Sequence, residues 1–142
     1  MDPLSITASI VGLLAAAGKI YTLLEAISTI KDSPTTITDA QNEVRHTEIA
    51  LRSMQRLLEK VEVANARREL IQVDELRITL ADAMLVFSEF ESMLLLLANL
   101  SKFRVTISWQ RHAKKIDEYL VRIGRYKMSL TFMLSILQWW VF

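Results

Sequence analysis

At 142 residues, 51% hydrophobic and 23% charged, with a mean hydropathy of +0.25, the chain has the size and apolar content of one packed domain. This excludes the low-hydropathy, high-charge composition of disorder, and the absence of Cys excludes disulfides, thiolate metal sites, iron–sulfur clusters and a Cys nucleophile. A net charge of +1 argues against a module that holds nucleic acid by overall charge, and three Gly scattered at 12, 18 and 124 cannot form a phosphate-cradling loop.

The opening Met1-Asp2-Pro3 reads as a helix start, with Asp2 as cap and Pro3 at the first helical position. A first helix is predicted from Pro3 to Ile30, because Ile6, Ile10, Leu13, Ala17, Ile20, Leu24 and Ile27 recur at three-four spacing, widened by Leu14 and Tyr21. Breakers cluster at Lys31 to Thr35, where Ser33 can cap and Pro34 can open the next helix. The second helix, Pro34 to Val61, carries a stripe of Ile37, Ala40, Val44, Thr47, Leu51, Met54, Leu58 and Val61, with charges on its other faces. The period fades over Glu62 to Glu69, which reads as a short connection between antiparallel neighbours.

The stripe resumes from Leu70 to Leu100 as Val73, Leu76, Leu80, Ala83, Phe87, Phe90, Leu94 and Leu97. Met84, Met93, Leu95 and Leu96 make the second half of this helix apolar almost all round, so it is expected to be central or covered. Ser101 to Ser108 is rich in β-branched residues, but a lone strand has no partner, and the stretch reads as a loop or irregular turn. A fourth helix is predicted from Trp109 to Trp140, with Ile116, Leu120, Ile123, Leu130, Leu134 and Leu137 inward and Arg111, Lys114, Asp117 and Arg122 mostly outward. The fold expected for residues 1–142 is therefore all-α, a single antiparallel bundle of four long helices. Its core would hold Leu13, Leu24, Leu51, Leu80, Phe87, Leu120, Leu130 and Leu134.

No basic residue precedes the first apolar run and Asp2 sits where a secretory signal would be positive, so none is expected. The uncharged runs of 16 residues from Pro3 and 15 residues up to Phe142 are shorter than the roughly 20 needed to span a bilayer. A cytoplasmic location follows, with membrane association left open.

Candidate chemistry is sparse. Glu43-x-x-His46 has the spacing of half a di-metal carboxylate site, but the other half is missing, since Trp109 precedes His112 by three. Neither His has a local Ser or Asp at a telling spacing, so the expectation is a non-enzyme with no metal, cofactor or small-molecule substrate. Charge is more informative: Lys102, Arg104, Arg111, Lys114, Lys115, Arg122, Arg125 and Lys127 fall within 26 residues that hold only Asp117 and Glu118, giving that segment +6 and the rest of the chain −5. Arg111, Lys114, Lys115 and Arg122 are expected to form a positive surface for an anionic membrane or an acidic partner, or else to pair with acidic faces of neighbouring helices. In the first helix, small residues (Ser5, Ala8, Ser9, Gly12, Ala15, Ala16, Ala17, Gly18) lie opposite bulky ones and allow close approach, in a bundle or in lipid. Leu4, Ile6, Ala8, Ser9, Gly12 and Ala16 are its candidate contact residues. Trp139 and Trp140 would anchor at an interface if exposed and close the bundle if covered.

The stretch Met-Asp-Pro-Leu-Ser-Ile-Thr-Ala-Ser-Ile-Val-Gly-Leu-Leu-Ala-Ala-Ala-Gly-Lys (Met1 to Lys19), with Thr79-Leu80, Phe87-Ser88-Glu89 and Lys127-x-Ser129-Leu130-Thr131-x-Met133-Leu134-x-Ile136-Leu137-Gln138, resembles the fungal N-terminal domain of STAND proteins. That family is also named after an azaphilone-pigment cluster protein. The resemblance implies a helical bundle of the kind found in front of a nucleotide-binding NACHT-type module and repeats such as ankyrin, related to HeLo-like cell-death domains. It implies an effector or adaptor role. Trp139-Trp140-Val141-Phe142 stand where charged or polar continuation is usual in the family, and no nucleotide-binding or sensor module is present, so the expectation is a stand-alone domain or a truncated receptor. Two functions stay open: an interaction module that self-assembles or pairs with like domains, and a membrane-targeting HeLo-like effector whose first helix inserts. Lys19 and Glu25 interrupt that helix early for a spanning segment and place the interaction module first.

Overall fold

The computed structural model describes residues 3–29, 36–64 and 73–141, and the side chains of 6–29, 36–60, 75–101 and 104–136 within them. The described residues form five helices and no strand: α1 (Pro3–Ser28), α2 (Thr36–Ala64), α3 (Val73–Ala98), α4 (Lys102–Arg111) and α5 (Ala113–Val141). The chain is all-α. The expected ends at Ile30, Pro34 and Leu70, and the cap at Asp2, lie outside the described residues.

The three-four stripes become the core. Ile6, Ile10, Leu13, Ala17, Ile20, Leu24 and Ile27 of α1 are buried, as are Ile37 to Leu58 of the α2 stripe and Leu76 to Leu97 of the α3 stripe. Thr47, the one polar member, is satisfied because its hydroxyl donates to the Glu43 carbonyl at 2.8 Å. The helix α1 packs against α2 and α3, and α5 packs against the same two, so one core is shared by four long helices.

The stretch expected to be a loop is helical. At Ser101 the backbone is extended (φ −62°, ψ 154°), and its carbonyl accepts from the amides of Arg104 at 2.9 Å and Val105 at 3.1 Å, which starts α4. Val105 and Trp109 stand one turn apart on its inward face, 1% and 2% exposed, so tertiary burial overrides the weak helix preference of Val105, Thr106 and Ile107. Trp109 therefore belongs to α4 and does not begin the fourth long helix. Its indole Nε1 donates to Thr36 Oγ1 at 3.0 Å, fastening α4 to the first turn of α2. A single-residue joint at His112 separates the helices, with its amide bonded to Ser108 and Trp109 carbonyls and its own carbonyl accepting from Ile116.

Two further expectations are corrected. Leu120 and Leu134 are only partly buried, because the inward arc of α5 is centred on Ile116, Tyr119, Ile123 and Leu130. The second half of α3 is not covered all round: its neighbours shield one side and leave Met84, Leu95 and Leu96 exposed.

Ile6–Ser28 is 23 residues long and passes the length and composition test for a membrane span once Lys19 and Glu25 are allowed within it, which corrects the estimate from uncharged runs alone. The same segment supplies much of the bundle core. A Cβ added at Gly12 or Gly18 would meet nothing within 4 Å. Gly12→Ala and Gly18→Ala are thus expected each to stabilise the protein by about 0.4–1 kcal/mol, read as a higher thermal midpoint by circular dichroism.

Candidate interaction surfaces

The contact residues expected on α1 split between two faces. Ile6 and Ala16 lie on the inward stripe, 4% and 5% exposed, so they could make outside contacts only if α1 left the bundle. Ala8 and Ser9 are exposed, Gly12 is half-buried, and the Leu4 side chain lies outside the described residues, as do those of Trp139 and Trp140. Small size and outward direction do not coincide along this helix, since Ala16 and Ala17 are inward and Ala15 outward.

In the basic segment Arg111 at the end of α4 and Lys114, Lys115 and Arg122 on α5 are all exposed. The segment is not uniformly positive. Lys115 Nζ lies 3.9 Å from Glu118 and 5.3 Å from the centre of the Tyr119 ring, while Lys114, Arg122 and Arg125 border a shallow depression shared with Asp117, Glu118 and Val121. Lys127 has a different role. Its Nζ is 2.6 Å from Glu43 Oε1 across α2 and α5, beside Gly124, where a Cβ would sit 3.4 Å from the same oxygen. Glu43 is thereby committed to packing, and His46 is exposed, so the Glu-x-x-His spacing does not gather a site. Among the described residues no group of three or more His, Asp or Glu side chains is placed to hold a metal ion. His112 Nδ1 lies 2.8 Å from the Ser108 carbonyl, within its own helical joint.

Tyr119, missed by the three-four reading, is 5% exposed and stacks on Phe90 with ring centres 5.5 Å apart. Burial pushes its phenol above the ordinary value of 10.0, and the Glu89 carboxylate, which accepts its hydrogen bond, pushes the same way, with Arg122 opposing. A raised folded value favours the neutral phenol, so its stabilisation is complete below pH 10 and is lost as pH rises through the folded value. Alkaline titration is expected to show one phenolate component that appears above pH 10, and Tyr119→Phe to remove that component.

The most open apolar surface lies elsewhere. On α3, Ile78, Leu85 and Leu96 are 56%, 57% and 72% exposed and form one row with Ala81, Ser88 and Ser92, flanked by Met84 and Leu95. On α5, Val121, Met128, Phe132 and Ile136 form a second row, with Met128 and Phe132 the most open. The signal was present in the sequence as the nearly all-round apolarity of α3; a second three-four stripe at 78, 81, 85, 88, 92 and 96 can be written beside the core stripe. On α5 the apolar row is interleaved with charged residues, so its sequence carries no comparable run. No known family model, curated protein or solved structure matches the chain.

Proposed function

We propose that the protein is a non-enzymatic helical interaction module of the fungal STAND N-terminal type, which self-assembles or pairs with like domains. In this reading the four long helices form an antiparallel bundle in which each runs opposite to the long helix before it. The Arg45–Tyr21 hydrogen bond at 2.9 Å supports this for α1 and α2, and the Phe90–Tyr119 stack near the α4 connection supports it for α3 and α5. Trp109, just before α5, meets Thr36 in the first turn of α2, and Lys127 of α5 meets Glu43 farther along α2, as expected if α2 and α5 share a direction.

The observation that carries the functional proposal is the exposed row on α3. Isolated apolar side chains are ordinary on a surface, whereas Ile78, Leu85 and Leu96 continue in line over about 27 Å with no charged residue in the row. Such a row costs solubility unless another helix covers it. The resemblance of Met1 to Lys19 and of the third and fourth predicted helices to the STAND N-terminal family agrees with a protein partner of the same kind.

A second reading, a membrane-targeting HeLo-like effector whose first helix inserts, is favoured by one observation: α1 is long and apolar enough to cross a bilayer. Light-scattering mass over a concentration series, beside flotation and dye leakage with vesicles containing anionic lipid, separates the two. Mass that rises above 16.3 kDa with concentration, without leakage, is the result expected of the interaction module. A monomer that releases dye in a salt-sensitive way, and loses this when Arg111, Lys114, Lys115 and Arg122 are all changed to Gln, selects the membrane reading instead. A monomer that does neither contradicts self-assembly and membrane insertion alike.

A further inference from the structure

Both exposed apolar rows lie on helices that are neighbours in the bundle, and the net charges beside them are opposite in sign. Glu75, Asp82 and Glu89 recur at every seventh residue and so line one edge of the α3 row, the edge on which Glu89 meets Tyr119 of α5. Lys114 and Arg125 stand in line with the α5 row, with Lys115 and Arg122 at its side; Glu118 shares that line and Asp117 its other border, so four bases stand against two acids and the face is net positive. Placing α3 against α3 of another molecule would bring the Glu75, Asp82 and Glu89 edge onto an acidic face, and α5 against α5 would set one net positive face on another. Only α3 against α5 is complementary in both polarity and charge.

We propose that the chain forms a two-fold symmetric dimer in which α3 of each copy lies on α5 of the other. This rests on the interaction-module reading and on the antiparallel direction of α3 and α5. With the two helices side by side, a two-fold axis parallel to them sets both crossed contacts at once, and the assembly closes at two copies. Such a rotation preserves height along the bundle. Since Glu89 is level with Tyr119, Asp82, about two turns back along α3, comes level with Arg125 of the second copy. One row about 27 Å long and about 10 Å wide covers only about 270 Å² of each partner; two crossed contacts bury about 1,100 Å² in total, which clears the roughly 1,000 Å² of a specific interface. An anionic membrane would suit the basic α5 row alone and be repelled by the acidic border of α3, whereas a second copy uses both.

The test exchanges charge between the faces. Glu75→Lys/Asp82→Lys and Arg122→Glu/Arg125→Glu are made separately, with Glu89 left in place because it holds Tyr119, and circular dichroism verifies the helical fold of each. Sedimentation velocity is expected to show the parent moving from 16.3 kDa toward twice that mass, and each variant alone requiring a concentration higher by roughly tenfold or more. An equimolar mixture of the two variants restores pairing, as a heterodimer and nothing larger. Absence of rescue on mixing overturns the crossed arrangement. If both variants associate as the parent does, the contact lies on another face: the crossed dimer falls while the interaction-module reading stands. If the parent remains monomeric throughout, or binds anionic vesicles through α5 as a monomer, both fall.

Discussion

Replacing Phe87 by Ala is expected to lower the unfolding free energy by about 3 to 5 kcal/mol. Phe87 is 0% exposed, and on the inward face of α3 it lies among the residues of the shared core, where the vacated volume cannot be filled by water. The effect should appear as a lower denaturant midpoint with little change in slope. Leu85, two positions earlier, supplies the control because it is 57% exposed: Leu85→Ser is expected to change stability by no more than about 0.5 kcal/mol. Equal costs at the two positions would mean that α3 is not oriented with its 76, 80, 83, 87 stripe inward.

Trp109→Ala is expected to cost a comparable amount, about 3 to 5 kcal/mol, for a different reason. The indole is the largest fully buried side chain and, with Val105, provides the inward face of α4; its Nε1 hydrogen bond to Thr36 joins two segments far apart in sequence. Trp109→Phe keeps most of the buried area but leaves the half-buried Thr36 hydroxyl without its donor, and should cost less, with about 1 kcal/mol assigned to the lost bond. Urea denaturation of both variants separates the two contributions. Parental stability in Trp109→Ala would show that α4 is not docked on the bundle.

The inward face of each long helix was legible because burial on one side writes a three-four spacing, and every described member of the α1, α2 and α3 stripes is buried. What was not legible depends on distance. Val105 and Trp109 are only one turn apart, too short a pattern to outweigh the β-branched run around them, and what favours the helix is the burial of both side chains against the bundle, where Trp109 also bonds Thr36 far upstream. On α5, Leu120 and Tyr119 compete for one inward position. An aromatic ring stacked on Phe90 and bonded to Glu89 takes it, and spacing alone does not rank the two. For the surfaces, the sequence marked the basic segment and the Asp117 and Glu118 within it, but not that both acids border one depression with Lys114, Arg122 and Arg125. It marked α3 as needing cover without revealing that its own chain leaves half of that face open.

The claim that this open face of α3 is an interaction surface is tested most directly by sedimentation velocity on the parent and on Leu85→Ser/Leu96→Ser over the same concentration range. Both positions are exposed, so helical content should match the parent. The parent is expected to sediment faster as concentration rises, and the double variant to stay at the value of a 16.3 kDa monomer throughout. Curves that superimpose at every concentration would contradict the claim.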